Sequence, residues 1–322
     1  MKSPITYSPA YTIVPTYECF NRCSYCNFRV DPGKDKWLSL SAAEKTMRRL
    51  ATRQVFEILV LSGEVHPHSS KRQIWLERIK EICQLALSLE FLPHTNVGPL
   101  SYSEMKSLKQ VNVSMGLMLE QITPKLLETV HVNAPSKNPE TRIQQLEQAG
   151  ELKIPFTTGL LIGIGETETD RLESLEAIAK IHRKWSHIQE VILQPHSLGN
   201  QQSYQNENFS LEELPNLIAN AKKILPKDVR IQIPPNLIRT KQLLLACLHS
   251  GAKDLGGISP KDEVNPDYPH LTAQSLQEML EGSRYKLVSR LPVYPQYYDW
   301  LSPNLQKQVQ KLVQKKLQDK EI

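Results

Sequence analysis

The sequence predicts an α/β fold in which parallel strands close, fully or partly, into a (β/α) barrel. Apolar runs rich in branched and aromatic residues alternate with stretches of helical spacing over most of the chain. Eight such runs recur about every 31 residues, which matches the roughly 30 residues of one strand–helix–strand crossover. An open, doubly wound sheet is the alternative architecture. In either fold the reacting groups belong at the carboxyl ends of the strands.

The predicted strands follow in order along the chain, at residues 11–14, 57–61, 91–95, 111–115, 156–162, 188–193, 229–233 and 254–258. Apolar residues at helical spacing predict helices between most of them, at residues 40–50, 73–89, 169–185, 211–224 and 239–249. Ser39 and Ser41 are suited to cap the first of these helices, because a serine hydroxyl accepts from the free amides of a helix start.

The strand–helix alternation ends near Asn265, and a tail rich in Pro and Tyr follows. We therefore expect a barrel domain over residues 1–264 and a C-terminal extension over residues 265–322 that packs on the barrel. The last 22 residues contain five Lys against Asp319 and Glu321. This composition predicts that the extension ends in a basic, solvated helix.

The composition is that of an ordinary globular protein, with 40% hydrophobic and 23% charged residues in 322. A net charge of +5, concentrated at the C-terminus, predicts no nucleic-acid partner. No run approaches the roughly 18 apolar residues of a membrane span, and the N-terminus lacks a signal pattern. Five cysteines, an odd number, do not suggest a disulfide framework. These features predict a cytoplasmic protein without a membrane partner.

Three of the five cysteines, Cys19, Cys23 and Cys26, lie within eight consecutive residues directly after the first predicted strand. Such a C-x3-C-x2-C cluster indicates metal chemistry rather than core packing. Iron–sulfur clusters with four iron sites normally take four thiolates. Three clustered thiolates would leave one iron open to an external ligand, which permits chemistry at the cluster.

Other interpretations of the triplet stay open at this point. A structural zinc site would need a fourth ligand, such as His66, His68 or a remote cysteine. A redox pair of Cys23 and Cys26 would leave Cys19 unexplained. Buried, inert cysteines form a third alternative. The two remaining cysteines, at positions 83 and 247, lie on apolar helical faces and are expected in the core.

The C-x3-C-x2-C pattern with an aromatic residue, Tyr25, before its last cysteine resembles the signature of radical S-adenosylmethionine enzymes. The resemblance implies a 4Fe–4S cluster bound by the three cysteines and S-adenosylmethionine bound at the open iron. It implies that one electron, from a donor such as a ferredoxin or flavodoxin, yields a 5′-deoxyadenosyl radical that abstracts hydrogen from the substrate. Such a radical must form close to its target, shielded from water.

The same resemblance suggests roles for further residues. Tyr25 is expected near the adenine. Gly63 and Glu64, which follow the second strand, resemble the superfamily's Gly-Gly-Glu motif that binds the methionine amino group; position 62 is Ser here, and a turn glycine beside a solvated Glu is the alternative. Gly163 and Gly165 resemble a stretch whose glycines allow the backbone to approach the adenine. They do not complete a dinucleotide fingerprint, because position 168 is Glu.

Polar residues near strand ends supply the remaining candidates. Ser114 near the fourth strand's end and Gln194 after the sixth are candidates for cofactor contacts, although satisfied core or strand-end residues are the alternative. His94, in the segment His94-Thr95-Asn96 at the end of the third strand, is a candidate for catalytic proton transfer. No other histidine shows an informative pattern.

Longer segments sharpen the resemblance: PHTNVGPLS, VNVSMGLMLE, GELKIPFTTGLLIGIGET, HIQEVILQ, IPPNL and GGISPKDEVNP occur in this order. They resemble radical subunit 1 of the 7,8-didemethyl-8-hydroxy-5-deazariboflavin synthases, which build the chromophore of coenzyme F420. The similarity runs from about Tyr11 to Asn265. The segment QPHSLGNQQSYQ differs from the Gln-Asn-Phe sequence expected there.

This family resemblance implies an ammonia-releasing lyase that oxidises and cyclises an adduct of a 4-hydroxybenzyl group and a ribityl-bearing diaminouracil. A sister radical subunit would supply this small-molecule substrate, because the chain has one cysteine triplet and the length of one barrel. The alternatives are a related radical synthase or cyclase, of the sister-subunit or menaquinone-pathway type, and a non-catalytic iron–sulfur or zinc protein.

Overall fold

A computed structural model describes residues 2–50, 54–206, 209–238, 240–269 and 271–318. Its parallel strands are β1 Ser3–Ile13, β2 Glu57–Leu61, β3 Leu92–Asn96, β4 Ser114–Gly116, β5 Phe156–Ile162, β6 Ile188–Pro195, β7 Arg230–Gln232, β8 Asp254–Ile258 and β9 Tyr285–Ser289. Its α-helices are α1 Leu40–Arg48, α2 Arg72–Ser88, α3 Tyr102–Lys109, α4 Pro139–Glu151, α5 Glu168–Trp185, α6 Leu214–Ile224, α7 Lys241–Ser250, α8 Ala273–Leu280 and α9 Pro303–Gln318.

The first eight strands form a closed barrel, which confirms the predicted fold class. Each strand from β2 to β7 pairs in parallel with the next along the chain. β1 closes the sheet by pairing with β2 through residues 10–13 and with β8 through residues 6–9. Strands that alternate with helices must connect by crossovers, and this topology places all carboxyl ends at one mouth.

β1 begins well before the predicted segment 11–14, and β9 is an unpredicted ninth strand. Residues 3–7 of β1 pair in parallel with residues 285–289 of β9. Two prolines, Pro4 and Pro9, lie within β1, and proline usually marks a strand end or edge. This local signal explains why the first half of β1 does not look like a strand in the sequence.

The structure also contains helices that the sequence does not predict. α3 and α4 occur where no helix is predicted, and both begin with side-chain caps, from Ser101 and Asn138. α7, Lys241–Ser250, contains residues 241–249 of the helix predicted over residues 239–249, and Arg239 lies outside the described residues. No helix in the described part of the chain is long and apolar enough to cross a membrane.

Two apolar clusters account for most of the buried core. The larger one fills the space between the barrel strands and the surrounding helices, with fully buried Trp75, Ile79 and Phe156 among its members. The smaller one joins the C-terminal segment, residues 290–318, to the barrel. Its barrel members are Phe56, Leu92 and Val113, which lie at or before the amino ends of β2, β3 and β4. The C-terminal segment therefore covers the end of the barrel opposite the mouth.

Candidate active site

A cavity of about 250 Å³ opens at the barrel mouth. Strand ends form its floor, with Leu61 on β2, Asn96 on β3, Leu161 on β5 and Gln194 on β6. The loop after β1 forms one wall. The polar and cysteine side chains of the lining are Cys19, Asn21, Cys23, Tyr25, Cys26, Asn27, Arg29, Ser62, Glu64, Asn96, Glu120, Lys137, Arg142, Gln194, His196, Ser197 and Asn265.

The loop after β1 brings all three predicted cysteine ligands to this cavity. Its backbone is tied to three other parts of the chain: Cys19 N donates to Val30 O at 3.0 Å, Phe20 N to Glu64 O at 3.1 Å, and Ser24 N to Val130 O at 3.0 Å. Because neighbouring elements fix the loop at several points, its thiols have a defined position on the cavity wall.

Glu18 organises the same loop from within. Its Oε1 accepts from Gly33 N at 2.7 Å and its Oε2 from Trp37 Nε1 at 3.0 Å. The Glu18 side chain is buried, so these bonds form in a medium of low dielectric, where they are strong. The cysteine segment and the following residues 30–37 are thereby folded into one unit.

The three thiols are free and partly buried. Burial raises the pKa of Cys23 to about 12, and it also raises the pKa of Cys19, to which the carboxylate of Glu64 adds. Within the described part of the chain, no three His, Cys, Asp or Glu side chains converge on a point where one metal ion could bind.

Gly63 and Glu64 lie where the sequence predicts, at the end of β2 beside the cysteine loop. A Cβ on Gly63 would lie 2.1 Å from Glu18 O, so only glycine fits this approach. Glu64 lines the cavity, and its Oε2 accepts from Asn21 Nδ2 at 2.8 Å and Ser136 Oγ at 2.5 Å. Ser62, in place of the first motif glycine, accepts a hydrogen bond from Trp75 Nε1 at 3.0 Å.

Four charged residues of the lining were not predicted, and three of them, Glu120, Lys137 and Arg142, lie together; the fourth is Arg29. Lys137 Nζ donates to Glu120 Oε1 at 2.5 Å, and Arg142 Nη1 lies 3.7 Å from the same oxygen. Burial acts to raise the pKa of Glu120, but the two cations outweigh it, so the pKa is lowered. Glu120 therefore stays ionised between its two partners.

Arg142 has one unused donor. Its Nε donates to Ser136 O at 3.0 Å and its Nη1 to Met118 O at 2.5 Å. Its buried Nη2 makes no hydrogen bond, although it lies 3.5 Å from Glu64 Oε1. A buried guanidinium N–H without a partner is costly. Arg142 lines the cavity beside Glu64, and a guanidinium group with a donor to spare suits the carboxylate of an amino-acid ligand.

Tyr25 also lines the cavity, and its hydroxyl forms a 2.9 Å hydrogen bond with His131 Nε2. Burial lowers the pKa of His131 to about 4, so its imidazole is neutral at neutral pH and shares this hydrogen bond with the phenol as a neutral ring. On its other side, the Tyr25 ring lies 6.5 Å from the ring of His196. The aromatic residue between the cysteines therefore has a fixed orientation.

Of the three candidates near strand ends, Gln194, His94 and Ser114, only Gln194 lines the cavity. His94 and Ser114 do not, since His94 Nδ1 bonds to Ser114 Oγ at 2.7 Å, and this hydroxyl donates to Pro292 O of the C-terminal segment at 2.6 Å. His94 lies two residues before the end of β3, and burial lowers its pKa to about 3. The placement of His94 therefore gives no support to a role in catalytic proton transfer. The placement of Ser114 likewise gives no support to a contact with a cofactor. The residue of β3 that lies at the mouth is Asn96.

Gly163 and Gly165 lie beside the cavity rather than in its lining. Both have positive φ, at 91° and 112°, which favours glycine. The turn is stabilised by Glu166, which accepts from Gly163 N at 2.7 Å and Ile164 N at 2.8 Å. A Cβ on Gly163 would lie 2.9 Å from Phe209 Cβ. These contacts explain both glycines by backbone geometry, and the adenine contact stays a prediction.

One signal could have identified Glu120: it follows β4 by four residues, which is where a barrel places active-site side chains. Lys137 and Arg142 carry no comparable signal. They belong to a short turn and to α4, and only the tertiary fold brings them to the mouth.

Comparison with known proteins places this geometry in a family. The model of the radical SAM superfamily matches residues 13–178. The 7,8-didemethyl-8-hydroxy-5-deazariboflavin synthase of Trichormus variabilis is 66% identical over 95% of this chain and 90% of its own length. The enzyme of that name from Thermosynechococcus vestitus is 59% identical, over 96% of this chain and 98% of its own.

Solved structures share the fold at low sequence identity. The FeFe-hydrogenase maturase HydG from Carboxydothermus hydrogenoformans superposes with a TM-score of 0.70 at 19% identity, over 98% of this chain and 78% of its own. Methylornithine synthase superposes with a TM-score of 0.66 at 13% identity, over 88% and 83%. These likenesses support the barrel architecture alone.

Proposed function

This chain belongs to the radical SAM superfamily and, within it, to the 7,8-didemethyl-8-hydroxy-5-deazariboflavin synthases, and we propose that it catalyses the reaction of that family. In this reaction the adduct 5-amino-5-(4-hydroxybenzyl)-6-(D-ribitylimino)-5,6-dihydrouracil is oxidised and cyclised to the deazaflavin. Ammonia is released, which makes the enzyme a carbon–nitrogen lyase. The alternatives, a related radical synthase or a non-catalytic metal protein, receive no support from relatives at 59–66% identity.

The observation that carries the proposal is the joint placement of three free thiols and an unused arginine donor in one cavity at the barrel mouth. Thiolates suit iron. The Arg142 donor and the Glu64 carboxylate suit the two charged groups of an amino acid. The residues present therefore fit both a cluster and S-adenosylmethionine.

In the proposed site, Cys19, Cys23 and Cys26 bind a 4Fe–4S cluster as thiolates. Glu64 accepts hydrogen bonds from the amino group of S-adenosylmethionine, and Arg142 donates to its carboxylate. When bound, the two groups together would supply a 5′-deoxyadenosyl radical. The task of the protein is to orient its precursor and to exclude water from the cavity.

Several partners belong to the same proposal. A sister subunit would supply the 4-hydroxybenzyl-uracil adduct, and a ferredoxin or flavodoxin would supply the electron. The three free thiols favour a reducing compartment, the cytoplasm, because thiols that bind iron must not pair as disulfides. The division into a barrel domain over residues 1–264 and an extension over residues 265–322 stays a prediction.

The test is anaerobic reconstitution of the protein with iron and sulfide. We expect about four irons per chain in the wild type and loss of most of them in Cys23→Ala. The matched control is Cys247→Ala, because Cys247 is buried in α7 and does not line the cavity. One zinc and no iron per wild-type chain would contradict the proposal.

The activity is tested with reduced, reconstituted protein, S-adenosylmethionine and the adduct. We expect 5′-deoxyadenosine, ammonia and a fluorescent deazaflavin in equal amounts. If 5′-deoxyadenosine formed without deazaflavin, the chain would be a radical enzyme of another specificity. If neither formed from an iron-loaded protein, the catalytic proposal would fail as a whole.

A further inference from the structure

A second cavity, which we call the β8 pocket, adjoins the first at the barrel mouth. It has a volume of about 140 Å³ and shares Leu61 and Val264 with the first cavity. Its lining comes from β1, β2, β7 and β8 and from the loop after β8, and includes Gln232, Asn236, Gly256, Lys261, Asp262 and Glu263. None of the three cysteines lines it. The β8 pocket is therefore a part of the mouth that the cysteine side chains do not line.

The space of the β8 pocket depends on two glycines of β8. Gly256 and Gly257 contribute no side chains to the lining. Gly256 has a φ of +73°, and a Cβ there would lie 2.4 Å from Gln232 Nε2. Gln232 thus packs directly against the backbone of β8. A cavity of this volume has room for on the order of ten water molecules, which is also the scale of a short polyol chain.

Asp262 gives the loop after β8 a fixed shape. Its Oδ1 accepts from Val264 N at 2.8 Å and Asn265 N at 3.0 Å, and its Oδ2 accepts from Asn236 Nδ2 at 2.7 Å. The last bond joins the loop to the segment after β7. Because its oxygens are already used in these contacts, Asp262 positions the wall of the pocket.

Glu263 connects the pocket to the cysteine loop. Its Oε2 accepts from Tyr17 Oη at 2.8 Å and from Lys261 Nζ at 2.7 Å, and its side chain is only 14% exposed. Tyr17 precedes Cys19 by two residues. Glu263 lines the β8 pocket, and both oxygens of a carboxylate accept hydrogen bonds, so Glu263 is an acceptor for a hydroxyl group in the pocket.

The charges of the pocket restrict the ligand. Its lining contains two carboxylates and one ammonium group beside apolar walls that include Leu59 and Leu255. An anionic group such as a phosphate would meet net repulsion there. A neutral chain with several hydroxyl groups would instead donate to Glu263 and exchange hydrogen bonds with Gln232.

We propose that the β8 pocket binds the uncharged, hydroxyl-rich chain of the substrate, with Glu263 as hydroxyl acceptor and Gln232 as second polar contact. This inference rests on the proposed function, which supplies a substrate with a ribityl chain. It assigns the chain to a part of the mouth that none of the three cysteines lines. The reacting 4-hydroxybenzyl–uracil part would then lie between the two cavities, next to Leu61 and Val264.

The test compares two substrates in reconstituted holoenzyme of equal iron content: the ribityl-bearing adduct and its analogue with a methyl group in place of the ribityl chain. A site built to bind hydroxyl groups rejects an analogue without them, so we expect wild type to prefer the ribityl adduct at least about a hundredfold in kcat/KM. Glu263→Gln and Gln232→Leu should each reduce this preference about tenfold, because the first replaces a hydrogen bond to a charged acceptor by a weaker one to a neutral acceptor and the second removes a hydrogen bond to the chain. The ratio cancels general damage to the enzyme.

The control is Glu278→Gln, which makes the same charge change on the exposed face of α8 and should keep the wild-type preference. An unchanged preference in both pocket variants would overturn the inference while the proposed function stands. If wild type formed no deazaflavin from either compound, the proposed function would fail. Titration of holoenzyme with 5-amino-6-(D-ribitylamino)uracil would then decide the pocket: about tenfold weaker binding to Glu263→Gln supports it, and equal binding overturns it.

Discussion

Arg142 shows how one buried side chain can be prepared for a ligand. Two backbone carbonyls, of Ser136 and Met118, fix the plane of its guanidinium group, and Glu64 and Glu120 lie within 3.7 Å of it. The residue is 1% exposed. Its remaining N–H group is therefore oriented before any ligand arrives, and binding costs little side-chain entropy.

Arg142→Lys should weaken the binding of S-adenosylmethionine at least about tenfold while the iron content stays near that of wild type. Lysine keeps the positive charge but lacks the planar set of donors needed to contact two carbonyls and a carboxylate together. Equilibrium binding to reconstituted protein measures the change.

The matched control is Arg72→Lys. Arg72 also donates to two backbone carbonyls, of Val65 and Pro99, and to a carboxylate, that of Glu104, but it does not line the cavity. Its substitution should leave the dissociation constant of S-adenosylmethionine within about twofold. Equal losses in both variants would mean that Arg142 acts only on the fold.

For single residues of the site, the sequence predicts those that belong to a strong local pattern and misses those that only the tertiary fold brings to the cavity. The cysteine triplet, Gly63 and Glu64 adjoin strands that periodicity identifies, and all of them line the cavity. His94 has a suitable side chain near a strand end, but it lies two residues short of the mouth. A strand rises about 3.3 Å per residue, so two residues separate the mouth from the barrel interior.

Among the elements of the site, the end of β2 and the cysteine loop pack with their backbones in direct contact. Gly63 N donates to Thr16 O at 2.8 Å, and the Glu18 carbonyl occupies the position where a Gly63 side chain would be. The backbone of β2 therefore sets where the loop can lie, and with it the positions of the thiols.

Gly63→Ala should reduce the iron bound after reconstitution to less than half of the wild-type amount. Its methyl group would lie 2.1 Å from a backbone oxygen, so the loop must move. Iron analysis and the absorbance of the cluster provide the measurement.

Gly282→Ala serves as the control for backbone strain. Gly282 has a φ of +74°, but no atom lies within 4 Å of the position of an added Cβ. This variant should lose about 1 kcal/mol of stability, the cost of placing alanine at a positive φ, and keep its iron. Wild-type iron content in Gly63→Ala would refute a steric role for Gly63.

The periodicity of the sequence predicts all eight barrel strands, because most of them are compact apolar runs, but it places the fourth at residues 111–115, whereas β4 begins only at Ser114. β9 and the first half of β1 are missed because they stabilise each other over a separation of about 280 residues. Their pairing is a tertiary property: neither segment has an apolar pattern that predicts a strand by itself. α3 and α4 are identified better by their caps than by their apolar faces.

On the scale of the whole molecule, the two ends of the barrel carry different chemistry. The mouth bears the thiols and the cavity, whereas the opposite end is closed by the C-terminal segment. Arg290 of that segment forms two hydrogen bonds with Asp254, at 2.6 and 2.9 Å, and an ion pair with Glu190. Tyr294 donates to Glu190 at 3.0 Å. This buried polar contact joins the tail to β6 and β8.

Two carboxylates share one guanidinium group in this contact, so they titrate differently. The pKa of Asp254 is lowered because Arg290 outweighs the effect of burial. Burial and the nearby Asp254 carboxylate raise the pKa of Glu190 to about 7. In the unfolded chain, a glutamate titrates near pH 4.3. As the pH rises from there to about 7, the unfolded chain loses this proton first, and the folded state loses stability.

Glu190→Gln should therefore become more stable relative to wild type as the pH is raised from 5 to 8, by about 1–3 kcal/mol. Glutamine cannot ionise, and its amide oxygen can still accept from Arg290 and Tyr294. Urea unfolding at each pH measures the difference. The exposed control Glu278→Gln should follow the wild type across this range. A constant difference between Glu190→Gln and wild type would show that Glu190 is already ionised at pH 5, with Arg290 stabilising both charged carboxylates.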